Sequence, residues 1–163
     1  MGKSHSSAPA SKPADLEVAI RSRLYGKVPK ATVGVRVATI RTGLSATLVR
    51  HIARHMVIGQ EQLYSTLGLA RATMIRKLKK RERMRPDESE RVLGLAGLIG
   101  QVENMVARSG EPKGFDAAQW VAQWLEQPLP ALGGKAPAEW MDTSEGQRLV
   151  SDMLARMESG AYA

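Results

Sequence analysis

The chain has 163 residues, with 24 lysines and arginines against 16 aspartates and glutamates, and no cysteine. That length holds one ordinary domain or two small ones sharing a core, and without cysteine there is no disulfide framework, thiolate zinc site or cysteine nucleophile. No apolar run approaches the roughly 18 residues of a membrane span and no charged, apolar, small-residue leader is visible, so a soluble cytoplasmic protein with no membrane partner is expected.

The net charge of +8 is unevenly placed. Residues 1–44 hold eight basic and two acidic side chains, residues 71–85 eight basic and one acidic, and residues 111–163 four basic and eight acidic. This asymmetry predicts a basic half that faces a polyanion and an acidic half that faces something else.

Residues 1–14 are rich in Ser, Pro, Ala and Lys without an apolar period, and read as a disordered arm. A short helix is predicted over 16–24. Val33, Val35 and Val37 alternate as in a strand, yet Val33, Val37, Ile40 and Leu44 also form a helical stripe. No other stretch reads as a strand partner, so 32–42 is predicted helical. Gly43 breaks this helix, and Ser45 can cap the next, over 46–56, whose apolar face is Leu48, Val49, Ile52 and Met56. His51 and His55 stand four apart on that helix, a spacing that can bind zinc. Ile52 replaces the glutamate of a hydrolytic HExxH motif and no third ligand is near in sequence, so surface or interface histidines are expected rather than a metal site.

From Gln60 to Leu78 the spacing is that of a helix-turn-helix. Leu63 and Leu67 face inward from the first helix, Gly68 makes the turn, and Leu69, Met74 and Leu78 anchor the second helix. Arg71, Thr73, Arg76, Lys77, Lys79, Lys80 and Arg81 are then the candidate DNA-binding residues, because guanidinium, ammonium and hydroxyl groups are what phosphate and base-edge contacts require. The spacing resembles Xre-type DNA-binding regions such as those of phage repressors. It departs from them at Tyr64, where alanine is usual, and at Ala70, which offers no capping oxygen.

Pro86, Asp87 and Glu88 open a helix predicted to run to Ala107, proline suiting its first position and the acids its positive end. Gly94, Gly97 and Gly100 recur along it, a strip that allows close approach of another helix, from this chain or a second subunit. Residues 109–114 read as a linker. An apolar helical segment over 120–125 is stopped by Pro128, a turn follows at 131–134, Pro137 starts a short helix with Trp140 and Met141, and Asp142 and Thr143 offer caps for a final helix. Leu149, Val150, Met153, Leu154 and Met157 lie on one face of that helix, which is expected to pack on the 120–125 helix.

Trp124-Leu125, Pro128, Pro130-Ala131-Leu132-Gly133-Gly134, Pro137, Thr143, Gly146 and Arg156-Met157-Glu158-Ser159-Gly160 resemble the C-terminal toxin-binding domain of Xre/MbcA/ParS-type antitoxins, the partners of RES-domain toxins. Trp140-Met141 and Leu129 depart from that family's usual residues. The resemblance implies an all-α chain: an arm at 1–14, a helix-turn-helix-containing DNA-binding and dimerisation domain at 15–110, and a toxin-binding domain at 111–163. It implies a toxin that consumes NAD or transfers its ADP-ribose, and an antitoxin end that blocks the NAD pocket. The candidate toxin contacts are Leu132, Trp140, Met153, Arg156, Met157, Glu158 and Tyr162.

An enzyme has little support in the sequence: no phosphate loop, no nucleophile beside a histidine and no metal constellation, so no cofactor is expected. Two binding functions remain. The chain is an antitoxin that binds a RES-domain toxin and operator DNA, as a homodimer within a hetero-oligomer. Alternatively it is a stand-alone regulator whose Leu129, Leu132 and Trp140 form a symmetric self-interface.

Overall fold

The computed structural model describes residues 8–110 and 113–160. Their order is α1 (Pro13–Arg21), α2 (Lys27–Lys30), α3 (Val33–Thr42), α4 (Thr47–Met56), α5 (Gln60–Leu67), α6 (Arg71–Lys80), α7 (Pro86–Ser109), α8 (Ala117–Leu125), 3-10 turns at Pro130–Leu132 and Pro137–Trp140, and α9 (Ser144–Glu158). The fold is all-α as expected, and extended pairing among the described residues is limited to isolated bridges.

Local chemistry explains the boundaries. Pro86 occupies the first turn of α7, where its missing N–H costs nothing, and the Glu88 carboxylate accepts from Arg85 N at 2.8 Å. Thr143 Oγ1 accepts from Gly146 N at 3.0 Å, starting α9. Ser45 plays a lesser role than expected: Ala46 is the cap residue of α4, while Ser45 Oγ accepts from Thr47 N at 3.3 Å. The α1 helix begins at Pro13, so Pro13 and Ala14 lie in its first turn, and Ala10 is buried before it. The alternating valines of 33–37 are helical. Thr32 caps them by accepting from Val35 N, and no neighbouring strand competes for their backbone groups.

One core joins both sequence modules. Leu48, Ile52, Leu63, Leu67 and Met74 of the first pack in the same cluster as Val121, Trp124, Val150 and Leu154 of the second. The central α7 carries α2 and α3 on one part of its surface and α8 and α9 on others. The final helix therefore packs chiefly on α7 rather than on the 120–125 segment.

The glycine strip is what admits these neighbours. A Cβ at Gly100 would lie 2.1 Å from the Tyr25 carbonyl oxygen, and one at Gly94 would lie 1.7 Å from Gln147 Oε1. Both close approaches are made by this chain itself: α7 meets the α2 entry at Gly100 and α9 at Gly94. Gln147 Nε2 uses the space to donate to the carbonyls of Arg91 and Met141, both at 2.9 Å.

Candidate binding surfaces

The α5–α6 pair has helix-turn-helix form. Gly68 closes α5 with φ 61°, and Leu63, Leu67, Leu69 and Met74 are buried beneath the pair, while Leu78 is half-buried. Tyr64 fits because its ring is buried along α5 while its hydroxyl reaches Gln60 Oε1 at 3.2 Å. Arg91, from α7, donates to the carbonyls of Leu67 and Gly68 at 2.9 and 2.8 Å, holding the turn in place.

On the outer side Arg71, Arg76, Lys79, Lys80 and Arg81 are exposed and Thr73 is half-buried. Arg71 pairs with Glu61 at 2.7 Å and Arg76 with Glu82 at 3.4 Å, both exposed pairs that a phosphate can displace at small cost. Lys77 is a correction. It is buried and bound to Glu88, so its charge is neutralised inside the fold and it leaves the candidate DNA-contact set. The segment after α6 is fastened to the body: Met84 N donates to Leu44 O at 2.8 Å and Arg83 to Gly43 O and Glu17, both at 2.7 Å. Arg81 is thus presented on an anchored loop, in which Arg83 is itself part of the anchor and Arg85 pairs with Asp87 at 3.0 Å.

In the C-terminal module, Leu129 and Lys135 pair across the turn, and Glu139 accepts from Ala136 N at 3.0 Å. Two of the expected toxin contacts are corrected. Leu132 (8% exposed) and Met153 (4%) face inward and cannot meet a partner in this conformation. Trp140 is half-buried against the core, with its indole N–H enclosed and without a hydrogen-bond partner among the described residues. Leu132 therefore offers no surface to a self-interface on this module, whereas Leu129 and Trp140 are half-buried and keep part of theirs.

Arg156, Met157 and Glu158 are exposed, and Glu158 pairs with Arg108 of α7 at 2.7 Å. Tyr162 lies outside the described residues. The apolar stripe of α9 divides: Val150, Met153 and Leu154 are buried, but Leu149 (38% exposed) and Met157 (40%) are not. Leu149 sits one residue, about 100°, away from Val150 around the helix, and Met157 lies past Leu154, where the buried stretch ends. Leu149 was missed as a surface residue because a hydropathy stripe does not mark its own edge.

The two histidines differ in setting. His55 is buried, with Nδ1 2.6 Å from the Tyr25 hydroxyl, while His51 Nε2 lies 3.1 Å from Arg21. Burial, followed by the Arg23 charge, lowers the His55 pKa, and burial raises that of Tyr25 well above its ordinary value. Among the described residues no three His, Asp or Glu side chains gather as metal ligands, and no helix is long and apolar enough to cross a membrane.

Fold and surfaces together define a helix-turn-helix protein with an appended, acidic helical module. The family described as the antitoxin Xre-like helix-turn-helix domain matches residues 35–97, and that described as the antitoxin Xre/MbcA/ParS C-terminal toxin-binding domain matches residues 115–160. A protein of Sphingobium sp. (strain YBL2) named "Prs ADP-ribosylating antitoxin" is 42% identical over 139 residues, 85% of this chain and 87% of that one. "Antitoxin Xre" of Yersinia enterocolitica is 24% identical over 136 residues, 83% of this chain and 86% of its own. "Antitoxin Xre" of Photorhabdus laumondii is 26% identical over 123 residues, 76% and 78% of the two chains. The chain belongs to the Xre/MbcA/ParS antitoxin family.

Proposed function

We propose that this antitoxin silences a RES-domain toxin by laying its C-terminal end over the toxin's NAD pocket, and that it represses its own operon through α5–α6. The observation that carries the first part is the end of α9. The core takes Val150, Met153 and Leu154 and leaves Leu149, Arg156 and Met157 on the surface, leading into the last residues of an acidic module. A pocket that binds a pyrophosphate is electropositive, so a segment with excess acid suits it. The name of the Sphingobium relative, which refers to ADP-ribosylation, supports a partner that handles NAD.

Within this reading residues 15–110 serve DNA binding and dimerisation and residues 111–163 serve the toxin, on a shared core. The toxin contacts are Trp140, Arg156, Met157, Glu158 and Tyr162, with Leu149 added beside them. The DNA contacts are Arg71, Thr73, Arg76, Lys79, Lys80 and Arg81, supported by their placement on one anchored basic surface. The antitoxin acts as a homodimer that forms a hetero-oligomer with its toxin in the cytoplasm.

Co-expression with the neighbouring gene product, followed by an NAD-consumption assay with and without residues 159–163, tests the first part. A complex that forms with either chain but turns over NAD only with the truncated one is the expected result. Full inhibition by the truncated chain overturns the pocket-covering mechanism. Repression is tested by operator binding: log affinity should fall with log salt at a slope near −5, for about six phosphate contacts. A slope near zero overturns it.

A further inference from the structure

The α3 helix has the wrong kind of surface for a helix at the edge of a monomer. Of its ten residues only Thr39 is buried, and that threonine satisfies itself by donating to Val35 O at 2.7 Å. Its aliphatic residues stay outside: Val33 is 66% exposed, and Val35, Val37 and Ile40 are half-buried. Val33, Val37 and Ile40 are spaced for one helical face, so they form a continuous apolar ridge. Beside it runs a groove of about 530 Å³ between α3, α7 and α9, with Ile40, Leu93, Gly97 and Leu98 among its lining residues.

We infer that this ridge and groove are a two-fold interface with a second copy of the chain. The inference rests on the homodimer reading above and assigns it a surface. A ridge next to a groove is self-complementary, since one rotation seats each copy's ridge in the other's groove. The surface approaches the size required: the accessible residues of α3 and of the rest of the groove come to about seventeen, against roughly twenty on one side of a standard interface.

Charge selects the same occupant. Arg41 on α3 and Glu90 at the groove are both exposed, and neither has an ion partner among the described residues. Two-fold packing supplies each with the other, twice. Arg36 is already engaged, donating to the carbonyls of Pro29 and Ala31. Nucleic acid is a poor fit, because Arg36 is engaged with backbone carbonyls and Arg148 pairs with Glu145 at 3.3 Å, which leaves Arg41, among the described residues, as the one unpaired cation beside a β-branched ridge. An electropositive toxin pocket is a poor fit too, since the surface carries no excess of acid: Glu145 is paired with Arg148, and Glu90 stands against Arg36 and Arg41.

Light scattering and sedimentation equilibrium on the full chain test the inference. Val33→Asp sits at the first position of α3, where an acid favours the helix dipole, so the fold is retained. It is expected to weaken the dimer by at least about tenfold, as a charge forced into an apolar contact does. Arg41→Glu should weaken it as well, and Arg41→Glu with Glu90→Arg should restore it to within about threefold of the parent. Rescue by the swapped pair is an outcome that a merely structural role does not produce.

A dimer that survives both Val33→Asp and Arg41→Glu unchanged overturns the assigned surface while leaving the homodimer intact. Loss of toxin binding with an unchanged dimer overturns it too, in favour of a toxin contact. A parent chain that stays monomeric at about 100 µM, far above the micromolar range of specific association, refutes the homodimer reading itself.

Discussion

Lys77 of α6 and Glu88 of α7 meet inside the protein, Nζ to Oε2 at 2.5 Å, with each side chain only 5% exposed. The same carboxylate accepts the Arg85 N–H, so one acid both starts α7 and anchors the helix expected to read DNA. Removing one partner strands the other's charge in the interior. Glu88→Ala or Lys77→Ala should cost about 3 to 5 kcal/mol, measured by urea unfolding, whereas Lys77→Met with Glu88→Leu should recover most of it. Exposed Lys80 behaves differently. Lys80→Ala should leave stability within about 0.5 kcal/mol, and should make the salt slope of operator binding shallower by about 0.9.

Gly97 and Gly100 look equivalent along α7 and should respond oppositely to alanine. At Gly100 a methyl would press on the Tyr25 backbone, which cannot rotate away, so Gly100→Ala should destabilise by about 1 to 3 kcal/mol. At Gly97 the nearest atom is Val28 Cγ1 at 3.7 Å, an ordinary contact. There the intrinsic helix preference wins, and Gly97→Ala should stabilise by about 1 kcal/mol. Thermal melts of the two variants decide it.

Met153 and Met157 separate fold from contact. Met153→Ala empties a core position and should cost about 2 to 5 kcal/mol of stability. Met157→Ala should leave the melting temperature unchanged and weaken the toxin complex by about 1 to 2 kcal/mol, as loss of a modest interface contact does. Calorimetric titration with the toxin, beside a melt of each free variant, distinguishes them.

Acid should destabilise the protein through its histidines. Burial, reinforced by Arg23, lowers His55, and burial with Arg21 lowers His51, both below the ordinary value of about 6.5. The unfolded chain therefore takes up these protons first. Stability is fully present above about pH 6.5 and is lost as pH falls from there toward the folded values. Glu103 acts in the opposite sense lower down. Burial raises its pKa above the ordinary carboxylate value, so the folded state protonates first as pH falls and its contribution favours the fold on the acidic side. Melting temperature should fall from pH 7 to pH 5.5, and His55→Gln should flatten much of that slope.

Elements marked by strong local signals are legible in the sequence. Pro86 with Asp87 and Glu88 marks the start of α7, Thr143 caps α9, and the leucines around Gly68 set the helix-turn-helix, because caps, turn residues and helical spacing act within a few residues of one another. The family was legible for the same reason, in the run from Trp124 to Gly160.

Which face of each element is covered is set by contacts from distant parts of the chain. Lys77 stands three residues from Met74, at the edge of the inward face of α6, but only the Glu88 carboxylate arriving from α7 makes burial of its charge possible, while Lys79 and Lys80 face solvent. Nothing local separates Met153 from Met157, which share a stripe but not a neighbour. The valines of α3 show the converse: their spacing promises a buried helix, and the rest of the chain does not bury it. Burial depends on what another part of the chain brings into contact, here α7 passing between modules that are distant in sequence, and that partner is not encoded in the residues it covers.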